Sequence, residues 1–290
     1  MKQALLITAY KNFNHLKDIL DYFSSENFLF YIHIDKKSSI STSEYRSLKR
    51  LQLKFISTQY KVNWGGFNHL KAILLLADEA VKNKEIGFFH LISGQDFPVK
   101  KLEYFDRFFD KNKDYLEFFP LPNEDWNNGG YDRLERYNLH NIINYKRYSI
   151  IIEQFNRLQA KLNIKRKIST DLPKLYGGST WWSLTRSTLQ YVIDYTSKDK
   201  TFLNRLNFSF CSEEIYFQTV IMNSVYSKNV ENDNLRYIDW DSDAIYKPAI
   251  LKGENSMQLI KSSCLFARKF EIPTSYTLKN ELLHDLKKTI

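Results

Sequence analysis

Residues Phe88–Pro98 read FFHLISGQDFP. A run of apolar and aromatic residues gives way abruptly to Ser93, Gly94, Gln95 and Asp96, and Pro98 stops the strand from continuing. A short, continuous apolar run of this kind is the pattern of a central strand buried on both faces. Its polar tail then lies at the strand's carboxyl end, where open α/β sheets bind their ligands. Gly, Asp and Pro also favour turns, so the tail alone fits an ordinary strand-to-turn exit as well.

Upstream of this stretch, Ala4–Thr8 and Phe28–Ile34 read as strands and Phe13–Phe23 as an amphipathic helix. Leu53–Ile56 predicts another short strand, and Phe67–Val81 (FNHLKAILLLADEAV) has the clearest 3.6-residue apolar period in the chain. Downstream, Leu102–Phe109 predicts a helix and Tyr115–Phe119 a strand. This alternation implies an α/β fold with a central, mostly parallel mixed sheet flanked by helices. From Pro120 to Leu175 the pattern breaks. NEDWNNGGYDR reads as a loop, and the rest is rich in Lys, Arg, Tyr and Asn around a helix over Ile150–Leu162. Regularity returns with a strand over Gly177–Leu184, helices over Arg186–Tyr195 and Ser212–Asn223, and a strand over Leu235–Ile238.

A chain of 290 residues is long enough to bury a substantial core, and 43% hydrophobic against 26% charged residues is a globular composition. The formal charge of +9 favours anionic partners such as nucleotides, phosphates or membrane surfaces. No zinc-finger, RNA-recognition or helix-turn-helix pattern accompanies it, so nucleic acid is not an expected partner. Cys211 and Cys264, the two cysteines, form neither a disulfide framework nor a metal cluster and suit a reducing cytoplasm. The apolar run in MKQALLITAYKNF breaks at Tyr10 and Lys11, too short for a signal peptide or a membrane span. The expectation is a soluble, cytoplasmic protein whose basic surface suits the inner face of an anionic membrane.

Five more segments carry chemistry: YIHIDKK from Tyr31, VNWGGFNHLKA from Val62, GGSTWWSLTR from Gly177, CSEEIYFQT from Cys211 and SCLFARKF from Ser263. In this order and at these spacings, with SGQDFP among them, they resemble the core-2/I-branching β-1,6-N-acetylglucosaminyltransferase family, which includes the peptide O-xylosyltransferases. The resemblance runs from Ile7 to Phe270. It implies a GT-A-type, Rossmann-like glycosyltransferase fold and inverting transfer from a UDP-sugar to an acceptor hydroxyl, without a metal ion. On that reading residues 1–290 are one domain: a nucleotide-binding part to about residue 120, an irregular insert to about 175, and an acceptor and catalytic part beyond.

The resemblance places the general base at Glu214, with Glu213 beside it and Ser212 where the family usually has Pro. Ser is itself a good helix N-cap. Displacement at an anomeric carbon needs a carboxylate opposite the leaving group, and a helix amino end favours its ionised form. The same two carboxylates also serve simply to complement the helix dipole. Lys269 matches the family's phosphate-binding Lys; a second cation falls on Lys247, with Arg268 as its substitute. A solvated basic pair at Arg268 and Lys269 is the plainer alternative. Asp35 is assigned to the uracil imide and Thr8 to its neighbourhood. Gln95, Asp96, Glu213, Ser179, Trp64 and Trp181 are assigned to the sugars, Asp96 having a structural role as its alternative. Strand alternation sends Trp181 and Trp182 to opposite faces, so at most one meets the cleft.

Asp239-Trp240-Asp241 fits the metal-binding Asp-x-Asp pattern literally, and its oxygens suit Mn or Mg. It follows a late strand rather than the central one, at the position where the family has an acceptor-facing Trp. Trp240 is therefore assigned to acceptor stacking, and no metal is expected. UDP-GlcNAc is the first expected donor, and the expected acceptor is a glycan or lipid-linked oligosaccharide of a bacterial surface polysaccharide. Two other readings stand beside it: a Mn-dependent transferase using UDP-xylose or UDP-glucuronate, and a non-catalytic glycan- or nucleotide-binding protein.

Overall fold

Strands β1 (Lys2–Ala9), β2 (Phe28–Ile34), β3 (Leu53–Ser57) and β4 (Ile86–Ser93) set the frame, with α1 (Phe13–Tyr22), α2 (Thr42–Ser47) and α3 (Asn68–Val81) between them. The computed structural model describes residues 1–48, 52–109, 112–168, 172–240 and 247–287. After β4 come β5 (Phe97–Pro98), α4 (Leu102–Phe108), β6 (Asp114–Leu116), β7 (Phe119–Pro120), α5 (Asp132–Glu135) and α6 (Tyr145–Lys161). Then follow β8 (Tyr176–Gly177), β9 (Trp182–Thr185), α7 (Arg186–Lys198), α8 (Thr201–Arg205) and α9 (Glu213–Met222). The chain closes with β10 (Val230–Glu231), β11 (Arg236–Ile238), α10 (Ser256–Lys261), β12 (Phe266–Arg268) and α11 (Tyr276–Lys287). Among the described residues no helix is long and apolar enough to cross a membrane.

The main sheet has seven strands in the order β10-β6-β9-β4-β1-β2-β3. β1 pairs in parallel with β2 on one side and β4 on the other, while β9 runs antiparallel to β4 and β6. The chain thus leaves β1 in one direction and returns through α3 to its other side, which opens a crevice at the carboxyl ends of β1 and β4. Side-chain alternation explains the apolar runs. Phe89 and Leu91 of β4 join one core with α3, α7 and α9. Phe88 and Ile92 join the other with α1, α4 and α11. With both faces covered, each large apolar side chain contributes about 1.5–3 kcal/mol, and the strand needs no polar position.

His90 is the polar exception in β4. It is fully buried, hydrogen-bonded to Ser183 Oγ at 2.8 Å and Gln3 Oε1 at 2.9 Å, and burial holds its pKa well below the usual value. The buried Arg236 extends this network. It donates to Ser183 Oγ (2.9 Å) and to the carbonyls of Leu91 (3.0 Å) and Trp182 (2.8 Å). It thereby fastens β11, and with it the small sheet β11-β12-β5, to β4 and β9 of the main sheet.

The buried central strand and the parallel frame are as the sequence predicts, but the strand predicted over Tyr115–Phe119 is two, β6 in the main sheet and β7 in a separate pair with β8, and four further details differ. Pro98 does not end extended structure, because Phe97–Pro98 pairs antiparallel with β12 across its open edge. The predicted strand Gly177–Leu184 is two pieces: β8 pairs with β7, and the main-sheet ladder resumes only at Trp182. Gly178 lies in the break, where an added Cβ would sit 1.9 Å from the Glu117 carbonyl oxygen. Ser212 is no side-chain cap. Its own backbone is already helical, no cap hydrogen bond forms, and its buried hydroxyl has no partner. The helix predicted from Ile150 extends back through a kink at Tyr148 (φ −136°, ψ 40°) to a first turn at Tyr145, capped by Asn144, whose side chain accepts from the Lys146 N–H.

Candidate active site

Loops leave the crevice side by side because the strand ends are level. Gly94 donates its N–H to the Thr8 carbonyl at 2.9 Å, and Asp35 donates its N–H to the Ala9 carbonyl at 2.8 Å. The Asp35 carboxylate is buried; its Oδ1 accepts from the N–H groups of Lys37 (2.9 Å) and Val62 (3.0 Å), and its Oδ2 lies 3.5 Å from Lys37 Nζ. Asp35 therefore fixes the turn after β2 against the segment that enters α3. Beside it, the Tyr10 hydroxyl donates to Gln95 Oε1 at 3.3 Å, and Gln95 Nε2 donates to Glu271 Oε2 at 2.8 Å.

Cations collect at the same end. Lys11 Nζ pairs with Glu271 Oε2 at 2.5 Å. Burial opposes ionisation of Glu271, yet the hydrogen bonds from Lys11 and Asn12 hold its carboxyl below the usual range. Half-buried Lys269 has its ammonium pKa lowered by burial first, and then by the nearby charges of Lys11, Arg268 and Lys146. Arg268 Nε lies 3.1 Å from Asp96 Oδ1, and its guanidinium packs 4.3 Å from the centre of the Trp181 ring. Asp96 is itself buried; it accepts the Ser93 N–H and sits behind Arg268. Burial raises its carboxyl pKa while Arg268 draws it back down.

Two carboxylates, Glu213 and Glu214, open α9. Cys211, just before them, donates its N–H to the Gly65 carbonyl at 3.0 Å, so the helix start is pinned to the Trp-Gly-Gly turn. Gly65 has φ +71°, and a Cβ there would sit 2.3 Å from the Phe210 ring, so a glycine is required. Glu213 pairs with His69 Nδ1 at 3.0 Å, and His69 Nε2 lies 3.4 Å from Thr8 Oγ1. The other Glu213 oxygen is buried without a partner. Glu214 Oε2 pairs with Arg133 at 2.5 Å, and Arg133 stacks 3.4 Å from the centre of the Trp126 ring. Burial raises the Glu214 carboxyl pKa and the Arg133 charge opposes the rise. Arg268 is close enough to Glu214 for that carboxylate to support its protonated form, which joins the two sides of the site.

The structure thus brings together Thr8, Gln95, Asp96, Trp181, Glu213, Glu214, Arg268 and Lys269, with Asp35 at the neighbouring strand end. Ser179 stands on the loop between β8 and β9, where its carbonyl accepts from Gln218 Nε2 at 2.6 Å. Trp181 faces Arg268 while Trp182 is sealed in the core against Phe217. Trp64 is 56% exposed and lines a cavity of about 220 Å³ with Arg133, His140, Tyr145 and Phe210. Exposed Lys247 donates to the carbonyl of the exposed Trp240; Asp241 lies outside the described residues.

Four residues of the site escape the sequence reading. His69 carries a usable signal, a histidine in the first turn of the helix after Trp-Gly-Gly. Lys11 carries a weaker one, a lysine where the first strand breaks. Arg133 and Trp126 carry none, because they sit in the segment with no periodic pattern and reach Glu214 only through the tertiary path.

A parallel sheet with a switch point, a carboxylate pair at a helix start, and cations gathered opposite it define a GT-A-like glycosyltransferase architecture. Residues 4–261 match the sequence profile of the Core-2/I-Branching enzyme family, and the chain belongs to that family. It is similar to Xylosyltransferase 2 of Canis lupus familiaris, 27% identical over 293 residues that cover 92% of this chain and 31% of that protein. Xylosyltransferase sqv-6 of Caenorhabditis briggsae is 21% identical over 237 residues, 79% of this chain and 27% of that protein. Beta-glucuronosyltransferase GlcAT14A of Arabidopsis thaliana is 32% identical over 124 residues, 41% of this chain and 28% of that protein. The chain therefore spans under a third of the length of these relatives, the largest share being 31%.

Proposed function

We propose that this chain is an inverting, metal-independent glycosyltransferase that moves a sugar from a UDP-sugar to an acceptor hydroxyl, forming a β linkage. The observation that carries this reading is Glu214, a carboxylate in the first turn of α9 paired with Arg133, with Arg268 within charge range of it and Lys269 and Lys11 grouped around Arg268. Arg268 and Lys269, with Lys11 and Lys247, hold the pyrophosphate and do the work that a divalent cation does elsewhere. Asp35 accepts from the uracil imide, with Thr8 next to the base. Gln95, Ser179, Trp181 and the unpartnered oxygen of Glu213 surround the donor sugar, and Asp96 steadies Arg268. The acceptor enters along the cavity of Trp64 and Arg133, with Trp240 available to stack on its sugar rings.

In the reaction the acceptor oxygen attacks the anomeric carbon as its proton passes to Glu214. The bond from that carbon to the phosphate oxygen breaks, and UDP departs with the electron pair. Arg133 engages Oε2 of Glu214, which leaves Oε1 for the incoming hydroxyl. UDP-GlcNAc is the first donor to test; the names of the relatives put UDP-xylose and UDP-glucuronate beside it. The acceptor we propose is a glycan or lipid-linked oligosaccharide of a surface polysaccharide, modified in the cytoplasm.

The test is UDP release by the full chain from each donor, with and without EDTA, and for Glu214→Gln. Activity should survive EDTA, and the variant should lose about a hundredfold or more in turnover while still binding UDP. Activity abolished by EDTA and restored by Mn would transfer the phosphate role to the Asp239-Trp240-Asp241 loop. Undiminished turnover in Glu214→Gln would remove that residue from the chemistry.

A further inference from the structure

Helix α6 packs inside out. Its inward side buries Ile152 and the polar Gln159, whose amide accepts the Tyr137 N–H at 2.8 Å and donates to the Tyr137 carbonyl at 3.1 Å. Its outward side carries Ile151, Phe155, Leu158 and Leu162, spaced by four, three and four residues, which aligns them in one stripe. Ile151, Leu158 and Leu162 are 51%, 51% and 58% exposed. Among the 23 residues from Tyr145 to Lys167, seven are basic and one, Glu153, is acidic. Exposed Arg157 and Lys161 lie on the same outward half of the helix, and exposed Arg147 stands just before the kink at Tyr148 where this helix begins. An apolar stripe edged by cations is the pattern of a helix that lies in a membrane interface, and the cations complement anionic headgroups rather than another basic surface of this chain.

The helix is also part of the cleft. Tyr145, Ile152, Glu153 and Asn156 line the cavity that contains Trp64 and Arg133. Lys146, at its start, is near enough to act on Lys269.

We propose that the outer face of α6 docks on an anionic lipid bilayer, with Ile151, Phe155, Leu158 and Leu162 among the acyl chains and Arg147, Arg157 and Lys161 at the headgroups. The cleft then opens beside the bilayer surface. The docking surface stands without the transferase reading; only its use, presenting a lipid-linked acceptor to Glu214, rests on that reading.

The experiment is co-sedimentation of the full chain with phosphatidylglycerol/phosphatidylcholine vesicles and with phosphatidylcholine vesicles. Binding should require phosphatidylglycerol and weaken as salt is added. Leu158→Glu and Leu162→Glu should each lower partitioning by about tenfold or more. Val225→Glu, an exposed apolar position outside α6, should leave it unchanged. Thermal melting and calorimetric UDP affinity check that the variants remain folded. The proposal is overturned if the unaltered chain stays in the supernatant at low salt, or if Leu158→Glu binds as the unaltered chain does. It is also overturned if sedimentation shows the stripe closing a dimer that Leu158→Glu separates. Phosphatidylglycerol-dependent binding by a chain that fails to bind UDP would support the surface and sink the donor reading.

Discussion

Glu214 stands between two opposed influences, burial that raises its pKa and the Arg133 guanidinium that lowers it. In its proposed role as general base Glu214 must be ionised, so activity should be present above this pKa and be lost as pH falls through it. Arg133→Gln removes the lowering influence while keeping a polar side chain. The acid limb of the kcat/KM profile should then move to higher pH by about one unit or more. A limb that stays in place would mean that another group is titrating. Arg133→Lys is not a harmless exchange, because the flat guanidinium both stacks on Trp126 and grips Glu214. The sequence singles out Glu214 through the family resemblance, since two carboxylates at a helix start taken alone also fit simple complementation of the helix dipole. Arg133 is not legible there, because 81 residues separate it from its partner and nothing periodic surrounds it.

At the scale of elements, the proposed donor grip lies on β12 and the residue after it. Lys269→Ala should weaken UDP binding by about tenfold or more, the worth of one charge-assisted hydrogen bond, as read by calorimetry. Equal affinity would take Lys269 out of the phosphate site. The elements that sequence describes best are those whose neighbours dictate a simple pattern. β4 is covered on both faces and reads as a continuous apolar run, and α3 shows one clean helical period. The failures have the opposite cause. The break between β8 and β9 falls at Gly178, where the Glu117 carbonyl leaves no room for a Cβ, and Ser212 loses its capping role because the chain is already helical when it arrives. The first depends on a contact from another part of the chain, the second on the backbone conformation at the helix start.

For the whole molecule, the buried histidines set a dependence on pH. Burial lowers His15, His33 and His140 from 6.5 to about 4. The unfolded chain takes up protons from about pH 6.5 downward while the folded chain resists until about pH 4, so stability falls as pH drops through that window. At pH 5 each of these histidines costs about 2 kcal/mol relative to neutrality. The raised carboxyls of Asp96 and Glu214 act in the opposite sense, gaining as pH falls toward the carboxylate range. Denaturant unfolding should therefore show a clear loss of stability between pH 7 and pH 5, and a flat profile there would contradict the neutral, buried state of these rings. The Arg236 network has a consequence at this same scale. The small sheet that carries the proposed donor cations is bolted through β11 to the middle of the main sheet, whereas Arg133, Trp126 and α6 hang on the segment between β7 and β8. The two walls of the cleft have separate foundations, so a lineage is free to remodel one and exchange its acceptors while inheriting the other intact.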